Sequence, residues 1–547
     1  MPMQKRRGTD LLMHLDRSVS GDGLTRQIYT QLRAAILDGR LRAGDRLPPS
    51  RDLARDLGVA RLTVATAYEW LGAEGYVYGR VGAGTFVAAV FAEPALPLPT
   101  TAPATAPAPH HVSPTRSDAA PAIQEPPVPL STWARRIATI PLAGISPAGS
   151  ATCMWDMRPS VGAADAFPWA RWRRTVGWPD PLAGDAPPAS VAMSAATASS
   201  YWDALLGPLE TRQAIAAWLR RSRAVRCVPE QILVAGSVQQ MLALLARLLI
   251  EPGQQLLVED PSYVGFHAAF LAEGAVLAGM AVDEHGLRVE ALPARDRGDD
   301  GEKGMDGATP RLAIVTPSHQ YPTGVTLTLE RRVALLEWAR RAGVVLVEDD
   351  YDGDLRLEGQ PLEALRGLDD RDEVIYLGTF AKALYPAVRL GFAVLPHWLI
   401  EPVARARAAS DRHPAWRDAM AVARFIEAGE LERHLARMRR LYRGRRDALT
   451  AALREHLDDL VTIGPADAGI HLLARLPDGV DDVALVDAAQ RRSIACMPLS
   501  PHYQGSARPG LLLGFGGMSE ARLAEGVRRL APLVREAVAT AEGAHAL

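Results

Sequence analysis

Residues 374–392 read VIYLGTFAKALYPAVRLGF. The opening run, VIYLGTF, is apolar enough to be a buried strand, and Lys382 follows it directly. Its amine therefore emerges at a sheet edge and not from a solvated helix face, where a partly buried lysine can lose its proton and form a Schiff base. A single lysine after a strand is ordinarily surface charge, so its companions decide. Runs of the same design are QILVAGSVQQ (231–240), QLLVEDPSY (255–263), RLAIVTPSHQYPTG (311–324) and VVLVEDDY (344–351), each ending in a polar or Gly-rich turn. Helix-like stretches at 241–250 and 329–341 alternate with them. Strand and helix in alternation give βαβ units and an open, mainly parallel α/β sheet, whose chemistry lies at the carboxyl ends of its strands.

On that edge the spacing gathers a set of groups. Asp349 ends VVLVE, 33 residues before Lys382, where a buried carboxylate can keep a pyridine nitrogen protonated and make its ring an electron sink. Arg389, seven residues after Lys382, is a fixed cation suited to gripping a phosphate. Gly236-Ser237-Val238-Gln239 lies between a strand and a helix, where free backbone amides and the helix dipole favour an anion. Together these are the parts that bind pyridoxal 5'-phosphate (PLP).

Outward from this core, the chain of 547 residues is 48% hydrophobic, enough for several domains with a large core. Its 61 Lys+Arg against 63 Asp+Glu exclude a whole-chain attraction to nucleic acid or anionic membrane. Cys153, Cys227 and Cys496 are far apart, which gives no metal-binding spacing and suits a reducing cytoplasm. No run approaches 18 uninterrupted apolar residues, so a soluble cytoplasmic protein without membrane contact or metal site is expected. Between Leu96 and Ser131 Pro, Ala, Thr and Ser dominate, as in an extended linker. A second polar stretch, Pro293 to Pro310, reads as a surface insertion.

Ahead of the linker, residues 1–88 carry 13 Lys+Arg against 9 Asp+Glu, while the remainder carries 48 against 54. Leu24, Ile28, Leu32, Ala35 and Ile36 recur at helical spacing in a helix that stops at Asp38-Gly39. Ser50 is placed as the N-cap of a second, short helix carrying Leu53, Ala54 and Leu57, which Gly58 ends. A third helix, Leu62 to Glu74, has an apolar stripe of Val64, Ala67, Tyr68 and Leu71. Two short helices joined by a Gly-containing turn make a helix-turn-helix, and GYVYGRVGAGTFVA adds two short strands as a wing. The third helix then presents Arg61 and Thr63 to the major groove, Arg51 meets phosphate or a guanine edge, and Arg80 with Gly82 approaches the minor groove or phosphates.

The segment from Leu24 to Val87, with LPPSR, LGV, TV, AY and EGY in order, resembles the winged helix-turn-helix of the GntR family. By that resemblance Ser50, Arg51, Arg61, Thr63, Arg80 and Gly82 contact double-stranded operator DNA. Residues 156–530, with SHQYPTG, VEDDYDGDLR and YLGTFAKALYPAVRLGF, resemble a fold-type I aminotransferase, and the order of parts resembles the MocR subfamily of GntR regulators. The fold implied is multidomain: a winged helix-turn-helix at 22–88, a Pro/Ala-rich linker at 89–131, and an α/β PLP-dependent transferase domain at 150–540. The resemblance makes Lys382 the residue in aldimine linkage with PLP, pairs Asp349 with the pyridine nitrogen, directs Tyr351 to the ring hydroxyl and stacks Tyr263 on the ring. Ser237, Val238, Gln239, Thr379 and Arg389 take the phosphate, and Tyr201 reaches it from a neighbouring subunit, which implies a homodimer.

Three positions depart from the aminotransferase pattern. Leu512, in GLLLGF, stands where an amino-acid aminotransferase anchors the substrate carboxylate with arginine, leaving Arg508 as a nearby substitute. Gly265 has no side chain where some family members place an arginine. Tyr321 replaces the asparagine before PTG, which leaves His319 or Gln320 to bond the ring hydroxyl. The expectation is a regulator whose aminotransferase-like domain holds PLP and senses a small amine or amino-acid effector, without physiological turnover beyond residual transaminase activity. The alternatives are an active aminotransferase (transaminase) with an accessory DNA-binding head, and a regulator whose only signal is PLP itself.

Overall fold

The computed structural model describes residues 13–16, 22–80, 83–88, 129–140, 153–159, 161–176, 205–293, 310–359, 362–384 and 388–545. The chain divides into two compact units, 1–123 and 124–547. The linker up to residue 128, Gly82, Tyr201 and most of the Pro293–Pro310 stretch lie outside the described residues.

In the first unit, α1 (Asp22–Leu37) buries Ile28, Leu32, Ala35 and Ile36 against Val64, Ala67 and Leu71 of α3 (Arg61–Ala73). α2 (Ser50–Leu57) ends at Gly58, whose left-handed φ of 62° lets its N–H bond back to the carbonyls of Ala54 and Arg55. Ser50 is not the N-cap: Pro49 holds that place in extended backbone with no side-chain cap, and Ser50 opens the helix. Pro49, its φ fixed by the ring, serves as the extended N-cap, so the chain turns helical one residue earlier than the Ser50 cap pattern suggests. β1 (Val77–Arg80) and β2 (Gly84–Val87) form the antiparallel wing, registered from Val77 opposite Val87 to Arg80 opposite Gly84.

The second unit is built on an eight-stranded sheet. Its strands are β4 (Ile232–Ala235), β5 (Gln255–Asp260), β6 (Val276–Asp283), β7 (Gly286–Leu287), β8 (Leu312–Val315), β9 (Val345–Asp350), β10 (Val374–Thr379) and β11 (Gly391–Val394). The order is β4-β11-β10-β9-β8-β5-β6-β7. β11 runs antiparallel to both neighbours, and β7 antiparallel to β6; the other pairings are parallel. β6, β7 and β11 were not among the strands expected from sequence: VLAGMAVD is too exposed and GFAV too short to stand out. Alternate residues of one strand enter different cores, Leu233 and Ala235 into one and Ile232 and Val234 into another, as a sheet buried on both faces requires.

A smaller sheet joins β12 (Thr462–Ile463), β13 (His471–Arg475), β16 (Gly510–Gly514) and β15 (Met497–Pro498) in that order, while β3 (Trp155–Asp156) pairs with β14 (Ile494–Ala495). A helix at Thr132–Ala138, directly after the linker, docks on the body: Trp133 Nε1 donates to Glu273 Oε1 at 3.1 Å and Arg136 reaches the Ala272 carbonyl. Among the described residues no helix is long and apolar enough to cross a membrane.

Candidate functional site

The pairings make β4, β5, β8, β9 and β10 point one way, so Ser237, Tyr263, His319, Asp349, Tyr351 and Lys382 all follow or end strands on a single sheet edge. Lys382 sits in the one-turn helix Phe380–Ala383, whose N-cap Thr379 accepts from the Ala381 N–H at 3.2 Å. Burial drives the Lys382 amine down to about 8, against the pull of Asp352 and Asp349. Burial likewise lifts Asp349 to about 8, with Asp350 and Asp352 adding repulsion and Lys382 opposing it.

Side-chain alternation splits the two consecutive aspartates. Asp350 is locked by Arg223 Nε at 2.6 Å and by the Tyr376 hydroxyl at 2.6 Å. Arg223 also donates to Ser318 Oγ and the Leu362 carbonyl, so each of its three guanidinium nitrogens has a partner, while both donors to Asp350 meet Oδ2. Asp349 is buried with Oδ1 lacking a partner, as Asp350 Oδ1 also does, but unlike Asp350 it receives no side-chain hydrogen bond from any described residue. An orphaned carboxylate oxygen in a native interior calls for a donor from outside the chain, and a protonated ring nitrogen is such a donor. The residues present therefore fit PLP: Asp349 for the ring nitrogen and Lys382 for covalent attachment.

At the phosphate end, Ser237 Oγ caps the helix Val238–Leu249 by accepting from Gln240 N, and Gln239 Nε2 donates to the Gly265 carbonyl at 2.9 Å. Val238 is half-buried in the sheet-side core, which leaves its backbone N–H as its polar contribution. Gly391 pairs with Ala235 on one side and Thr379 on the other, and exposed Arg389 lies two residues before it in the chain. A Cβ on Gly391 would lie 3.3 Å from the Ser237 backbone, so the close approach of these two strand ends depends on glycine.

A layer of rings covers the site. Tyr321 is its hub, packed against Tyr263, Tyr351, His471 and His502 at centroid separations of 5.3 to 5.9 Å. Tyr351 Oη lies 2.9 Å from His319 Nδ1, which also pairs with Asp352 Oδ2 at 2.9 Å. Gln320 is not free to bond a ring hydroxyl, because its Nε2 is held by Glu259, Pro261 and Tyr321 and its Oε1 by Thr323. His319 acts instead as the partner that orients Tyr351. Arg508 is exposed and lines a surface cleft with Asp260 and Asp283. His471, Asp352 and Arg223 escaped the sequence analysis. His471 leaves a trace as the one polar residue heading the apolar run HLLAR, but Arg223 carries no local signal at all. Sequence spacing gave no metal signal, yet the fold sets ligand atoms of His319, Asp352 and His471 within 4.8 Å of one another.

In the first unit, Arg51 and Arg61 are exposed at the starts of α2 and α3, with Ser50 and Thr63 half-buried beside them. Leu62, the second residue of α3, is 76% exposed. The Arg80 guanidinium lies over Tyr78 and Phe86 at 5.4 and 5.5 Å, which fixes its direction at the wing.

Residues 24–87 match the family of bacterial regulatory proteins named gntR, and residues 196–530 match aminotransferase class I and II. The chain is 35% identical over 509 residues, 92% of each protein, to the probable rhizopine catabolism regulatory protein MocR of Rhizobium meliloti. It is 30% identical, over 90% of this chain and 92% of the other, to the pyridoxine biosynthesis transcriptional regulator PdxR of Corynebacterium glutamicum. Among solved structures it is similar to a kynurenine aminotransferase of Pyrococcus horikoshii, at TM-score 0.60 and 26% identity, over 71% of this chain and 92% of that one. With both family matches in order on one chain and regulators aligned across more than nine-tenths of it, the protein belongs to the MocR-type transcriptional regulators of the gntR family, a helix-turn-helix head joined to an aminotransferase-class body.

Proposed function

We propose that the body carries PLP on Lys382 and reports a small amine to the DNA-binding head, so that the protein senses and does not metabolise. The observation that carries this is the orphaned Asp349 Oδ1 in the same pocket as a desolvated lysine. When bound, PLP supplies an electrophilic carbon and an electron-withdrawing ring. Lys382 attaches the cofactor, Asp349 holds the ring nitrogen protonated, and Tyr351, oriented by His319 and Asp352, meets the ring hydroxyl. Tyr263 covers the ring, and Ser237, Val238, Gln239, Thr379 and Arg389 take the phosphate with Tyr201 of a second subunit. A cytoplasmic homodimer fits this assignment, since two heads related by a twofold axis suit paired half-sites in an operator. Domains at 22–88 and 150–540, joined by the 89–131 linker, let each part fold on its own. Any effector acts through different affinities for two arrangements of the heads.

The test is titration of apo-protein with PLP, followed by absorbance and by operator affinity, with and without an added amine. Absorbance at bound-PLP wavelengths and an amine-dependent change in affinity are expected. Repeated product formation from an amino donor and a keto acid would establish the enzyme alternative, and a full response to PLP alone would establish PLP as the only signal.

A further inference from the structure

The turn between β4 and the helix Val238–Leu249 is gripped at both ends by side-chain oxygens. Gln240 Oε1 accepts from the Gly236 N–H at 2.8 Å, and Ser237 Oγ accepts from the Gln240 N–H at 3.1 Å. Both bonds consume donors that flank the start of the helix. The N–H groups of Val238 and Gln239, which open the helix and have no carbonyl one turn back, are left for an outside acceptor.

Gln240 is in turn held from a second helix, His397–Ser410, whose Leu399, Val403 and Ala404 share a core with Leu233 and Ala235 of β4. Just past that helix, Asp411 Oδ2 accepts from Gln240 Nε2 and from Arg407 Nη2, and Asp411 Oδ1 accepts from Ser410 Oγ at 3.0 Å. Arg407 is fully buried, and its Nη1 donates to the carbonyl of Val234, two residues before Gly236. A carboxylate only accepts, so Asp411 fixes which way the Gln240 amide lies: nitrogen toward the carboxylate, oxygen toward the Gly236 N–H. Turned over, the amide would set donor against donor and release the turn.

We propose that Gln240 and Asp411 are positioning residues for the phosphate of PLP. Asp411 orients the Gln240 amide, and Gln240 holds the Gly236-Ser237 turn so that the free N–H groups converge on one anion. This rests on the assignment of residues 237–239 to the phosphate and of Lys382 as the covalent anchor.

The test is absorbance titration of the full-length apo-protein with PLP and with pyridoxal, the same ring and aldehyde without the phosphate. Wild type should take up PLP at a lower half-saturation than pyridoxal. Gln240→Leu should reduce that preference by roughly tenfold, the scale of a lost hydrogen bond to a charged group. Its half-saturation for pyridoxal should stay within about twofold of wild type, as for an independent site. Asp411→Ala, a change at an exposed position that the fold tolerates, should act in the same direction. The double variant should lose no more than Gln240→Leu alone, because Asp411 acts through Gln240. An unchanged preference in either single variant, an equal loss for both aldehydes, or losses that add in the double variant overturn the proposal. Equal half-saturations in wild type would overturn the phosphate assignment itself, and no absorbance with either aldehyde would overturn the Lys382 assignment.

Discussion

Asp349 and Asp350 are consecutive on β9 and have opposite fates: Asp350 is clamped through Oδ2 by Arg223 at 2.6 Å, while Asp349 receives no side-chain hydrogen bond from any described residue and its buried Oδ1 has no partner. The clamp fixes the end of the strand, and so fixes where the unpaired carboxylate points. One residue is built into the fold and the other is left for a ligand.

Asp349→Asn should separate the two roles. With its carboxyl raised to about 8 from an ordinary value near 3.8, folded apo-protein holds a proton that the unfolded chain has lost. Its contribution is therefore present below pH 4 and lost as pH rises toward 8. Denaturation of apo wild type and variant across that window should show the variant gaining on wild type by up to roughly a kcal/mol per pH unit. Stabilisation by added PLP should shrink in the variant. A constant difference at all pH would contradict the raised carboxyl.

Lys382 should react with PLP on a pH profile set by its burial. The neutral amine is the nucleophile, and with an amine lowered to about 8 the uptake rate should climb as pH rises to 8 and then level off. Stopped-flow absorbance from pH 6 to 10 measures this. A rise continuing through pH 10 would mark an ordinary solvated lysine. Lys382→Ala should abolish the absorbance and leave bare DNA affinity largely intact.

Removing Arg223 strands Asp350 in the interior. Arg223→Ala should lower stability by about 3–5 kcal/mol, the range for breaking a buried pair, read as the midpoint of denaturant unfolding. A loss under about 1 kcal/mol, as for an exposed pair, would show that the site edge does not depend on this clamp.

Gly265 is a steric allowance for Tyr263: a Cβ there would lie 2.1 Å from the tyrosine ring. Gly265→Ala should displace that ring at a cost of about 1–3 kcal/mol and weaken PLP binding, while operator affinity without ligand stays as in wild type. Unchanged PLP affinity would remove Tyr263 from the site.

For the head, Arg61→Ala should weaken operator binding by about 1–3 kcal/mol and relax base preference, as loss of a bidentate base contact does. Arg80→Ala should weaken binding evenly across sequences and flatten its salt dependence. Uniform loss from Arg61→Ala would reduce Arg61 to a phosphate contact.

The sequence by itself determined the parallel strands β4, β5, β8, β9 and β10, the three helices of the head, and the line of groups from Ser237 to Lys382. These follow from local pattern: apolar runs ending in polar turns, helical spacing, and glycine at Gly58 where a left-handed residue is required. Only the tertiary structure decided that Asp350 and not Asp349 is paired with Arg223, that Gln320 is occupied while His319 meets Tyr351, that His471 from β13 lies in the field of Lys382, and that Leu512 from β16 is buried against Tyr321. Partners such as Arg223 and Asp350 stand 127 residues apart. Strand and turn preferences act over a few neighbours, whereas the pairing of buried polar groups is set by packing between distant segments, which no local pattern encodes.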